Sequence, residues 1–461
     1  MSITRRAAAM VLTALVGTSL LTGCGGDSGE SGSPLVVWSM ENLPDRVRVT
    51  ERLAAGFTER TGIPVELVAV DENQFSQLVM SSAAAGKLPD VMGALPLTTI
   101  WQLAGNELLD AGAVQAVVDR LGTGTFSRRA LELTRDRDRQ LAVPSDGWTQ
   151  LLVYRKDLFA AAGLAPPDTY ERISRAAAAL SRDRLTGISL ATAANDAATG
   201  QAFEGFAVAN GCDLVTADGA IGLDAPPCRE TFRFLGELAA RYSPPGAQDV
   251  DSTRATYFAG RSAMIVWSSF LLDELGGLRE DALPACAECV GDPGFLARNS
   301  GVVSAIAGTA AEPAQYGELT SWTVPVGGKR EEAQRFVQYM MENQAYVDWL
   351  GMAPEGKIPA RRGDPSDPER FLDAWERLPA GVDTKRPLAE IYPPEVLRAL
   401  RESPERFRRW GFDQGQGLLM GATLAEMPVP KAVDAMLGGT EPGEAAEEAA
   451  EEVRSIQTSL R

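Results

Sequence analysis

The sequence predicts an α/β fold with a largely parallel sheet, and two patterns predict it. Short apolar runs that read as strands alternate with segments whose apolar residues recur at helical spacing, and Gly- and Pro-containing breaks separate them. At 461 residues, 45% of them hydrophobic, the chain is long enough for two lobes with sizeable cores.

The elements follow in order. Leu35-Val36-Val37-Trp38 reads as a buried strand, and 46–61 as a helix carrying Val49, Leu53 and Phe57 on one face, with Gly62 as its C-cap. A second strand over 65–70 and a helix over 73–85 follow, and Gly86-Lys87-Leu88-Pro89-Asp90 breaks the chain before a third strand at Val91. Alternating Arg and Asp over 135–139 reads as a solvated hairpin tip ahead of the strand 141–144. Helices are expected at 170–181, 228–242 and 329–350, and the acidic, Ala-rich tail 441–459 reads as a surface helix. No internal repeat is visible.

Composition excludes several chemistries. A net charge of −18 argues against nucleic-acid binding, which needs a concentrated basic face. The basic pieces Arg128-Arg129 and Arg406, Arg408 and Arg409 read as solvated helix faces, the latter with Glu402 and Glu405 just ahead. With no histidine, neither a Ser-His or Cys-His nucleophile pair nor a His-ligated metal site can be built. Gly122-Thr123-Gly124-Thr125 and Gly327-Gly328-Lys329-Arg330 lack phosphate-loop spacing. No cofactor and no metal are expected.

The amino terminus has the layout of an export signal over 1–23. Arg5 and Arg6 supply the charge, 7–20 the apolar region, and Leu21-Thr22-Gly23-Cys24 resembles a bacterial lipobox, in which Cys24 is lipidated. Thr4-Arg5-Arg6 matches a twin-arginine signal only loosely. Residues 24–34 then read as a Gly/Ser-rich tether. Beyond Cys24 four cysteines remain, an even number in an oxidising compartment, which favours two disulfides. Cys212 with Cys228, and Cys286 with Cys289, are the expected pairs. A redox role for Cys286 and Cys289 is an alternative, but no strand-then-helix context surrounds them. A four-thiolate zinc site is weaker still, since a second close pair is missing.

A family resemblance rests on an ordered set of segments: 57–65 (FTERTGIPV), 85–91 (AGKLPDV), 154–159 (YRKDLF), 257–264 (YFAGRSAM), Val324-Pro325-Val326 followed by 332–336, and 356–361 (GKIPAR). In this order they resemble the extracellular solute-binding proteins of ABC importers, in particular the sugar-binding group that includes maltose-binding protein. Tyr257 stands where Phe is usual, and Arg155 where Asn is usual. The resemblance implies a two-lobed periplasmic-binding-protein-like fold, a hinge of several chain crossings and a ligand cleft between the lobes. Crossings are placed near 145–149, 291–296 and 351–356. That gives 35–145 with 296–350 as one lobe and 149–290 with 351–461 as the other.

In open α/β sheets ligands bind beyond the carboxyl ends of strands, so the loops after strands supply the candidates. These are Trp38, Glu41, Asn42, Asp71, Asn73, Asp90, Trp148, Trp267, Phe270 and Arg361. Aromatic plates suit the apolar C–H faces of sugars, and carboxylates or amides suit their hydroxyls. Each has a plainer role open to it: buried ring, helix cap or turn residue. Trp101, Trp349, Trp375 and Trp410 read as core, and Trp322 has no clear place. The expected function is a monomeric, lipid-anchored extracellular receptor without enzymatic activity. It would close on a carbohydrate, an oligosaccharide by preference, and pass it to an ABC importer permease. An exported glycoside hydrolase, which needs only two carboxylates, is the alternative, as is a receptor for a non-sugar polar solute.

Overall fold

A computed structural model describes residues 32–423 and 426–460, except for the side chain of Asn73. The export signal and Cys24 lie outside the described residues. Both expected disulfides, Cys212–Cys228 and Cys286–Cys289, are formed. No described helix is long and apolar enough to cross a membrane.

The first strand, β1 (Leu35–Ser39), shows why the front of the chain is readable. Leu35 and Val37 point into one apolar core and Trp38 into another, so both faces of the strand are covered and the run is apolar throughout. Helix α1 (Pro44–Thr61) starts on a proline, buries Leu53, Ala54 and Phe57, and stops at Gly62. There the left-handed φ of 73° lets the Gly62 N–H reach the Thr58 carbonyl. Strands β2 (Val65–Ala69) and β3 (Val91–Pro96) flank β1 in parallel, linked through α2 (Glu72–Ala84). Next comes α3 (Leu97–Gly105), then the hairpin β4 (Arg135–Asp136) and β5 (Arg139–Gln140), whose turn includes Arg137 at φ 56°.

Beyond β3 the expectation of a parallel sheet fails. Strand β6 (Val143–Arg155) carries the chain from one half of the molecule to the other. Its first seven residues pair antiparallel with β9 (Gly317–Thr323), from Val143↔Trp322 to Thr149↔Gly317. From Gln150 onward it pairs antiparallel with β7 (Met264–Ser268) and β8 (Ser300–Val303). Strand β9 runs back and joins β3, also antiparallel, and β10 (Ile358–Pro359) pairs with Asp146 and Gly147 of β6. A strand that leaves one half and a strand that returns must run in opposite directions, so the sheet is mixed.

The switch of partners at Thr149 and Gln150 falls at the end of the expected crossing 145–149. The segment 291–296 does not cross: it leads into β8, which stays with the far half, and β9 makes the return. Residues Ser300–Val303 pair with Leu152–Arg155 of β6. The helix expected over 329–350 is two, Arg330–Met340 and Asn343–Leu350, broken where Asn343 takes a φ of 50°. The acidic tail is helical over Pro442–Ser459, but one face is not at the surface. Ala445, Ala446, Ala449, Ala450 and Val453 are buried where it packs on the helices Pro226–Tyr242 and Pro428–Leu437, and alanines permit that close approach. Trp322 is fully buried in β9 against Trp349 and Phe336.

Candidate functional site

Where β6 changes partners, the loops after β1 and β2, the start of α3 and the segment before β10 surround a cavity of about 460 Å³. That volume lies within the range of small-molecule sites, roughly 300–1,000 Å³. Glu41, Asn42, Asp71, Trp148 and Phe270 all line it. The loop after β1 brings Glu41 and Asn42, and the end of β2 brings Asp71, toward which the Asn42 amide donates at 3.3 Å. Trp148 stands half-buried on β6, with its ring 6.0 Å from Tyr316, and its indole N–H has no hydrogen-bond partner among the described residues. Phe270 lies flat against Gly356, where any Cβ would fall about 2.0 Å from the ring, so a side chain there would displace it. The Arg46 guanidinium covers the Phe270 ring at 5.1 Å.

The other five candidates are placed elsewhere or not at all. Trp38 alternates away into the core and meets Phe75 edge-on. Asp90 is a structural cap: its carboxylate accepts from the Val36 and Lys329 backbone N–H groups, each at 2.8 Å. Trp267 donates to the Val250 carbonyl at 3.0 Å and packs on the core of the second half, away from the cavity. Arg361 is buried, tying the Leu121 and Met341 carbonyls and the Thr125 hydroxyl together. Such a fully engaged guanidinium has little left for a ligand. Asn73 falls in α2, but its side chain lies outside the described residues.

The cavity floor is made by charged residues that the sequence did not single out. Lys357, 1% exposed, donates to Glu41 at 2.5 Å and to Asp146 at 3.4 Å, with its ammonium 4.3 Å over the Trp349 ring. Glu41 also receives Arg46 at 3.0 Å. Burial alone would raise the Glu41 carboxyl, yet Lys357 and Arg46 outweigh it and hold the group at about 2. Asp146 accepts from Thr320 at 2.6 Å, from Ser145 at 2.6 Å and from the Trp349 indole at 2.7 Å.

A second ionic group begins at Glu318, on the cavity's other side. The Arg409 guanidinium bridges Glu204 and Glu318, each at 2.9 Å, and stacks over Tyr316 and Phe412. Arg409, read from sequence as a solvated helix face, is 3% exposed, because the chain threads it between the two carboxylates. One oxygen of Glu318 also accepts the backbone N–H of Leu97, so it caps the first turn of α3. Burial dominates at Glu204 and lifts it to about 7 despite Arg409. Trp410, expected as core, packs on Phe203 and is mostly buried, yet it lines a chamber beside this group.

The profile of the bacterial extracellular solute-binding protein family matches residues 52–379. A putative ABC transporter periplasmic-binding protein of Escherichia coli K12, YcjN, is 29% identical over 364 residues, covering 77% of this chain and 79% of its own. Among solved structures, the GacH receptor of Streptomyces glaucescens, determined unliganded and with acarbose, superposes with a TM-score of 0.69 at 19% identity. That match covers 92% of this chain and 99% of the receptor. An ABC transporter solute-binding protein of Thermotoga lettingae bound to α-D-tagatose gives 0.69 at 19% identity, over 92% of this chain and 100% of its own.

Proposed function

The chain belongs to the bacterial extracellular solute-binding protein family, and we propose that it is a receptor, not an enzyme, that captures a carbohydrate between two lobes. The observation that carries this reading is the cavity in which Trp148 and Phe270 stand together over a floor of buried charge. Aromatic faces suit sugar C–H surfaces. The unpartnered Trp148 N–H and the fixed oxygens of Glu41, Asp146 and Glu318 suit sugar hydroxyls. The ligand-contacting set is then Glu41, Asn42, Asp71, Asp146, Trp148, Phe270, Glu318 and Lys357. The lobes are the sheet around β1–β3 and the sheet formed by the far half of β6 with β7 and β8, with β6, β9 and the segment 351–356 as the hinge.

The relative's name and the sugars held by the solved neighbours support delivery to an ABC importer permease as the next step. The Leu21-Thr22-Gly23-Cys24 string supports a lipid anchor at the outer face of the cytoplasmic membrane, with the body acting as a monomer. A thermal-shift screen of the purified protein against mono- and oligosaccharides, with amino acids and polyols for contrast, tests the reading. A ligand that binds only the folded state raises the melting temperature by mass action. A shift from one carbohydrate class, lost in Trp148→Ala, is the expected result. A shift only from a non-sugar solute would overturn the substrate class, and release of reducing sugar would overturn the receptor reading.

A further inference from the structure

A chamber of about 130 Å³ opens beside the main cavity. The two share Thr98, Ala197, Gln201 and Glu318 on their walls, so they are compartments of one cleft. Their linings differ in kind. The main cavity sets Trp148 and Phe270 among carboxylates, amides and cations, whereas the annex has its charged groups, Glu204, Glu318 and Arg409, together on one side and an apolar wall of Trp410, Phe412, Met420, Met427, Pro428 and Val429 on the rest. The annex is close in size to the ~150 Å³ of an apolar protein cavity that takes benzene. It therefore has room for one six-membered ring.

The annex also has two polar groups at its base that make no hydrogen bond among the described residues. The Tyr316 side chain is buried and lines the annex, and its hydroxyl has no hydrogen-bond partner among the described residues. Trp410 is 6% exposed, and its indole N–H makes no hydrogen bond among the described residues. Buried Tyr and Trp ordinarily find partners for these groups. A second sugar ring would bring hydroxyls around its whole rim and leave those facing the methionines, Pro428 and Val429 unsatisfied, at a cost. A flat apolar ring with a single polar edge does not meet that cost.

We infer that the annex is an aglycone subsite, and that the ligand is a glycoside whose sugar occupies the main cavity and whose aromatic or compact hydrocarbon substituent enters the annex. This rests on the carbohydrate reading of the main cavity. The occupant is recognised by apolar contact on both ring faces and by one acceptor or donor meeting Tyr316 or Trp410.

The test titrates the purified protein with paired methyl and 4-fluorophenyl glycosides of glucose, galactose and xylose, following heat and the fluorine NMR signal. 4-Fluorophenol alone serves as a sugar-free arm. For the sugar that binds, the aryl glycoside is expected to bind about 10- to 100-fold tighter than the methyl one, the gain from burying one phenyl ring. Val429→Phe, which fills the annex, is expected to bring that ratio to about one; Thr423→Phe, at the half-buried rim, serves if the first variant does not fold. Equal binding of aryl and methyl glycosides to the unaltered protein would overturn the annex and leave the sugar reading standing. Binding of 4-fluorophenol, lost in Val429→Phe, with no glycoside bound would keep an apolar ring site but overturn the glycoside inference along with the sugar reading. No binding by any probe would overturn both.

Discussion

The two ends of the cleft use the same device with different outcomes. At one end Lys357 sits between Glu41 and Asp146; at the other Arg409 sits between Glu204 and Glu318. Every one of these side chains is nearly inaccessible, so each carboxylate faces a comparable desolvation cost. Glu41 nevertheless stays ionised down to about 2, whereas Glu204 is pushed up to about 7. The difference lies in how many cations each acid sees. Glu41 has Lys357 and also Arg46, while Glu204 has Arg409 alone and shares it with Glu318. The charge of Glu318 itself adds to the upward push on Glu204. Burial sets the cost, and the ratio of cations to acids decides whether it is met.

Removing each central cation is the most severe test of that contrast. Lys357→Met leaves two buried carboxylates short of their shared partner and is expected to lower unfolding stability by about 3–5 kcal/mol in chemical denaturation. The loss is expected to be nearly the same at pH 6 and pH 8. Glu41 keeps Arg46, so its carboxyl stays far below that range, and Asp146 keeps three neutral donors. Arg409→Met is expected to be milder and pH-dependent, about 2–3 kcal/mol at pH 6 and about 1 kcal/mol more at pH 8. At pH 6 Glu204 already holds a proton in the parent protein, so less pairing is lost there. Equal costs at both pH values for Arg409→Met would remove the distinction between the two ends.

How much of this was readable from the chain follows the same line. The strands β1 and β3 and the stop at Gly62 were legible because runs buried on both faces and a glycine C-cap leave local marks. Glu41, Asn42 and Asp71 were legible as residues just past strand ends. The charged floor was not. Lys357, Asp146, Glu318 and Arg409 look like surface residues in sequence, since what buries them is a partner far away in the chain. Two marks did exist: Lys357 abuts the apolar Ile358-Pro359-Ala360, and Asp146 is the one charged residue between Leu141 and Tyr154. Trp38 and Trp267 misled for the opposite reason. A strand-end tryptophan can turn to either face, and only the layers above and below decide which.

The titration of Glu204 sharpens the contrast without removing a cation. Its folded value of about 7 lies above its ordinary 4.5, so between those values the folded state binds more protons than the unfolded one. Stability from this group therefore falls as pH rises from 4.5 to 7, by at most about 3 kcal/mol. Glu41 acts in the other direction, contributing stability above 4.5 that is lost as pH falls toward 2. Asp273 and Glu274, raised by burial to about 6 and about 7, share the sign of Glu204, so the parent's slope is a sum. Glu204→Gln is expected to flatten the stability profile between pH 5 and 8 by the Glu204 share, read as the difference from the parent. An unchanged slope would mean that Arg409 neutralises Glu204 as fully as Lys357 and Arg46 neutralise Glu41.

The smallest effect should come from the neutral donors around the Asp146 carboxylate. Thr320→Val keeps the shape of the side chain but deletes one hydroxyl, which donates to Asp146 at 2.6 Å. Two other donors and Lys357 remain, so the loss is that of one charge-assisted hydrogen bond, about 1–2 kcal/mol. Combined with Lys357→Met, the same change is expected to cost more than it does alone, because Asp146 then depends on its neutral donors. A double-mutant cycle in chemical denaturation measures that coupling. Simple additivity would show that Asp146 draws on the lysine and on its hydroxyl donors independently, and the floor at that end would then be two separate sites of stabilisation instead of one network.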